Sequence, residues 1–200
     1  MGELRWARVL AALLLLPGPA GASDEAPSGA AGSWRWEEQA YRWYYSRDGE
    51  PAWLERGLAT ALFLSAADAW AACGVRREFA GETARAAGAM DGVNVAGWSS
   101  LMPRSLRGLT TKRRAGAALL EADIAINGRS AELRASPELL FKVILHEFGH
   151  ALGLVHTPEC RDVMSYGGKC RIPNSELPQR PGAGDLAQCA ARYGRQNLPP

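Results

Sequence analysis

All three histidines of this 200-residue chain fall in one stretch, His146-Glu147-Phe148-Gly149-His150-Ala151-Leu152-Gly153-Leu154-Val155-His156. No other feature constrains the fold as tightly. Residues four apart on a helix share a face, so His146 and His150 can approach one ion together if the segment is helical. The flanks agree. Ser136-Pro137-Glu138 is a helix start: an N-cap serine, proline at the first position, then an acid. The helix is expected to run to about Leu152, with Leu140, Ile144, Phe148 and Ala151 as its inward stripe. Gly153 tolerates the backbone angles needed to leave the helix. The bend can return His156 to the same ion. Glu147 is turned about 100° round the axis from His146 and can reach a water at the ion without displacing a histidine. Three imidazoles leave a fourth position open, as in a catalytic site. A purely structural zinc site would leave Glu147 unexplained.

The start of the chain has the parts of a secretory signal peptide over residues 1–22. Arg5 and Arg8 are basic, Val9 to Leu16 is apolar, and Ala20-Gly21-Ala22 offers an A-x-A cut. The apolar run is short for a membrane span, so no stable membrane insertion is expected after cleavage. Residues 23–32, rich in Ala, Gly, Ser and Pro, read as a flexible leader. Residues 33–200 then form one domain, large enough for a real core. A formal net charge of +2 gives no general pull toward nucleic acid or membrane. Lys112-Arg113-Arg114 reads as a solvated loop. Four cysteines (Cys73, Cys160, Cys170 and Cys189) suggest two disulfides in an exported chain.

Tyr41, Trp43 and Tyr45 alternate as a strand would. Ala52 to Ala72 reads as a long helix with Leu54, Leu58, Leu62, Ala66, Ala69 and Cys73 on one stripe, ended by Gly74. Arg77 to Gly81, Val93 to Ser99 and Leu119 to Asn127 are strand candidates. Asp185 opens a last helix as the first member of a capping box with Gln188, and Leu186, Cys189, Ala190 and Tyr193 share its apolar face. Trp98 and the aromatics from Trp34 to Tyr45 read as core residues. The mixed order suggests an α+β domain.

The H-E-x-x-H-x-x-G-x-x-H stretch resembles the zinc motif of metzincins, and the matrixin family in a short bacterial-type form is the closest likeness. Metzincins also carry a methionine-bearing turn beneath the zinc. Asp162-Val163-Met164-Ser165-Tyr166 resembles it, with Met164 eight residues after His156, the matrixin interval. Glu121 to Ile126 resembles the strand before the active-site helix, and Asp185 to Gly194 the closing helix. The resemblance implies a metzincin-like fold: a twisted mixed β-sheet with a long first helix, an active-site helix and a C-terminal helix. It implies one catalytic Zn2+ on His146, His150 and His156. It also implies a secreted or periplasmic endopeptidase, monomeric, in which Glu147 is general base toward a zinc-activated water. An extended peptide would lie along an edge strand, for which Val93 to Ser99 is the candidate. Gly167 to Pro173 would border the specificity pocket, where Lys169 and Arg171 either colour its preference or, as the leading reading, face solvent. The alternative is a zinc-binding module for adhesion or inhibition, without turnover.

The sequence departs from matrixins in several places. No cysteine precedes the domain to occupy the zinc, and Cys73-Gly74-Val75 is only a chance likeness of that switch. No histidines remain for a structural zinc. Calcium is common in the family, but its ligand loops find no match here. Gly184 stands where the closing helix usually has the first of two aspartates, while Asp185 can still bind the Met-turn backbone. Tyr166 occupies an offset at which astacins and serralysins, but not matrixins, place a tyrosine on the zinc. It would either donate to the oxyanion or pack its ring against the turn. In a metzincin-like core the first and last helices can pack together. Of three pairings, Cys73–Cys189 and Cys160–Cys170 are therefore expected, the second bracing Met164.

Overall fold

The computed structural model describes residues 34–55, 57–165 and 170–194. The expected signal peptide and leader, and Tyr166 to Lys169, lie outside the described residues. Five strands make one mixed sheet in the order β2-β1-β3-β5-β4. They are β1 (Ala40–Ser46), β2 (Arg76–Thr83), β3 (Val95–Ser99), β4 (Gly108–Ala115) and β5 (Ala118–Asn127). The first three and β5 run parallel, and β4 is antiparallel to β5. Among the described residues the α-helices are α1 (Leu58–Ala69), α2 (Ala131–Ala135), α3 (Pro137–Ala151) and α4 (Ala183–Tyr193). No helix of the described residues is long and apolar enough to cross a membrane.

The core lies between the sheet and the helix pair α1 and α3. Tyr41, Trp43 and Tyr45 all point into it and are fully buried. Phe148, from inside the histidine stretch, stands edge-on to Trp43 with centroids 5.2 Å apart and also meets Tyr41 and Phe63. The helix that carries the histidines is thus fixed to the sheet by their own neighbour. Leu140, Ile144 and Ala151 bury the same stripe, as their spacing predicts. On the opposite face of β5, buried Asp123 accepts backbone N–H groups of Gly88, Met90 and Val95, and buried Glu121 accepts that of Gly92. These carboxylates tie the 84–94 segment across the sheet.

Four expectations need correction. The first helix is shorter than Ala52–Ala72. Residues before Leu58 make turns, Gly57 at φ 87° supplies the left-handed N-cap, and a separate 3-10 turn covers Ala71–Cys73. Its buried face is Ala59, Phe63, Ala66, Ala67 and then Trp70, whereas Leu58 is 44% exposed. Burying the rings of Phe63 and Trp70 removes more apolar area than burying Leu58 and Leu62, so the helix is rotated from the leucine stripe. Lys112-Arg113-Arg114 is no loop but part of β4. Its ladder is supplied by β5, and its charges suit a sheet edge. Val93–Ser99 cannot receive a substrate strand: β3 lies between β1 and β5, and the edges are β2 and β4. The last helix has Gly182 as N-cap. Asp185 is its third residue, accepting the Gly182 N–H, and Gln188 instead pairs with both backbone groups of Val155.

Candidate metal centre

Each histidine is set by a different local device. His146 and His150 leave one face of α3, whose N-terminus is capped by the Ser136 hydroxyl accepting the Leu139 N–H at 3.1 Å. Gly153 ends the helix at φ 86°. A Cβ there would also run into the carbonyl of Trp34, so the glycine answers both a backbone angle and a close approach. Trp36 and Tyr193 donate to the carbonyls of Ala151 and Leu152, at 2.9 and 2.8 Å, and hold the bend. His156 returns beyond it.

The three side chains converge. The Nε2 atoms of His146 and His150 each lie 3.1 Å from Nε2 of His156. His146 Nδ1 donates to the Val163 carbonyl at 2.8 Å and His150 Nδ1 to the Leu154 carbonyl at 3.0 Å. Both Nε2 atoms therefore carry lone pairs aimed inward. His156 Nε2 can donate to only one of them, so at least one contact sets lone pair against lone pair unless a cation sits between. Zn–N bonds of about 2.0–2.1 Å put tetrahedral ligand atoms about 3.3 Å apart, close to the observed spacing. Burial, then the Lys142 ammonium, pushes His146 down to about 3, and burial also holds His150 well below its ordinary value. Both stay neutral at physiological pH, as metal ligands must. The donor set fits a single zinc ion. Among the described residues no other His, Cys, Asp and Glu side chains gather closely enough to hold a metal.

Met164 forms the floor. It is fully buried, and its sulfur together with the Trp70 ring occupies the space a Cβ on Gly149 would need. Asp185 accepts the N–H groups of Val163 and Met164 at 2.7 and 3.1 Å. The carbonyl of that same Val163 orients His146. Gly184 leaves room for the Asp162 carboxylate, which accepts its N–H at 3.1 Å and takes the Thr157 hydroxyl. The structure joins Cys160 to Cys170 across the Met-turn and Cys73 to Cys189 between the 3-10 turn and α4. Tyr166 is not among the described residues.

Glu147 is buried beside the histidines, and burial pushes its carboxyl up to about 7, against the pull of the Thr110 hydrogen bond. Thr110 and Gly108 of β4 flank it. Lys142, one turn before His146, is also buried, and burial lowers its pKa although the Glu147 and Asp185 carboxylates oppose this. Sequence reasoning singled out none of Gly108, Thr110 and Lys142. The first two sit in a strand hidden by its charge run, and Lys142 sits at an ordinary helical position.

A mixed sheet over a helix bearing this histidine stretch, floored by a methionine turn, is the architecture of a metzincin. The matrixin sequence profile matches residues 30–180, and the chain belongs to the matrixin family. Matrixins are zinc metallopeptidases. No curated protein sequence matches the chain. A solved structure described as the GM1-bound form of the ECX AB5 holotoxin is similar in fold, with TM-score 0.51 and 14% identity over 77% of this chain and 80% of that one.

Proposed function

We propose that the protein is an exported zinc endopeptidase that cleaves extended peptides at the His146, His150 and His156 centre with Glu147 as general base. The observation that carries this reading is the set of inward lone pairs on neutral imidazoles, adjacent to a buried carboxylate. A bound zinc would supply Lewis acidity toward the scissile carbonyl and the attacking water. The chain's own residues do the rest. Glu147 takes the proton of the attacking water and returns it to the leaving amine. The edge strand β4, beside Glu147, is the one along which an extended peptide would lie. We assign the oxyanion donor to Tyr166 on its sequence position alone. Two disulfides fit an oxidising compartment. A module that only bound zinc would have no use for Glu147.

A digest of mixed peptides with and without a chelator tests the reading. Internal cleavage that stops on chelation and returns with about one zinc per chain supports it. No cleavage by the zinc-loaded protein refutes it.

A further inference from the structure

The buried carboxylate of Glu147 is held from β4. Thr110 Oγ1 lies 2.7 Å from its Oε2 and 3.0 Å from its backbone oxygen. A hydroxyl carries one proton, and the shorter contact has the length of a charge-assisted bond to a carboxylate. The other oxygen is confined from the same strand. A Cβ on Gly108 would stand 2.7 Å from Glu147 Oε1, 2.8 Å from Cγ and 3.0 Å from Cδ. Residues two apart on a strand share a face, so Gly108 and Thr110 both present themselves to Glu147. Threonine is stiff at χ1, which makes it a better clamp than a longer polar side chain.

We propose that Thr110 is a positioning residue for the peptidase reaction: its hydroxyl holds Glu147 Oε2 and so fixes the carboxylate in one orientation for the attacking water. The inference rests on the assignment of Glu147 as base. It couples the strand that would receive substrate directly to the group that moves the proton. An unclamped carboxylate samples other rotamers, and small misplacement of a catalytic group costs large factors in rate.

The test compares Thr110→Val, Thr110→Ser and Glu147→Gln with the parent, all zinc-loaded. Steady-state kinetics on one peptide are measured alongside zinc content and Tm. Thr110→Val keeps shape and loses the hydroxyl, and should lower kcat about 10- to 100-fold with KM within about threefold. Thr110→Ser should recover kcat to within about threefold of the parent, with zinc retained in both. If Glu147→Gln is inactive while Thr110→Val stays within about threefold of the parent, the positioning role is wrong and the base assignment stands. A serine variant as impaired as valine also overturns it. Should the valine variant fail to fold, Thr110→Ala against Thr110→Ser makes the same comparison. An active Glu147→Gln would instead overturn the assignment of the base.

Discussion

Two buried ionisable side chains near the centre have opposite meanings. Glu147 has a partner in Thr110 and, in the proposed reaction, moves a proton. Glu147→Gln keeps its shape and should retain zinc and Tm, while kcat falls by about 10² to 10⁴. Zinc analysis and single-turnover assays on the same sample check it. Lys142 is buried without an ion pair among the described residues, and it stands one turn from a histidine it repels. A cation in that setting costs stability. Lys142→Met preserves length and removes the charge. It should raise stability by on the order of 1 kcal/mol, read as a higher denaturant midpoint. A lower midpoint would mean that the ammonium has an anchoring role.

Between elements, the Met-turn depends on α4 more than on its own residues. Asp185 accepts three backbone N–H groups, those of Gly182, Val163 and Met164. Asp185→Ala leaves these donors unmatched and should cost about 2–4 kcal/mol. It also frees the Val163 carbonyl that orients His146, so zinc affinity should fall about 10- to 100-fold, the usual effect of losing a group that aims a ligand. Competition with a fluorescent chelator measures this. Legibility follows the same division. Helix α3 was readable from end to end because serine cap, proline, apolar stripe and glycine exit all act locally. The chain gave no comparable signal for β4. An edge strand buries little, and Lys112-Arg113-Arg114 disguised it. The leucine stripe of α1 misled because the buried face is chosen by rings on the sheet, Tyr45 and Trp98 around Phe63, which lie far away in sequence. Zinc-motif residues announce themselves by spacing. Thr110 and Gly108 matter through contacts that only the assembled sheet creates.

Over the whole molecule, the two disulfides divide labour. Cys73–Cys189 closes a loop across 116 positions and Cys160–Cys170 one across 10. Chain-entropy reasoning assigns them about 5 and about 3 kcal/mol. The long-range bridge ties α4 to the 3-10 turn after α1, and the short one spans the Met-turn. Cys73→Ser with Cys189→Ser should therefore lower Tm more, while Asp185 still bonds the Met-turn, so zinc affinity should change less than on loss of the short bridge. Cys160→Ser with Cys170→Ser should lower Tm less and weaken zinc binding. Calorimetry with chelator titration of the two variants separates them, and equal effects on zinc would refute the division.

The sealed sulfur of Met164 gives the molecule a chemical recorder. Conversion to the sulfoxide adds an oxygen and polarity that the packing against Gly149 and Trp70 has no space for. Met90, half-buried in the segment across the far face of the sheet, lacks that protection. Under dilute peroxide Met90 should oxidise while Met164 stays intact. Sulfoxide at Met164 would then mark only those molecules whose floor had opened. The ratio of the two, followed by mass spectrometry over time, would count openings beneath the metal one by one in a protein that otherwise looks wholly folded.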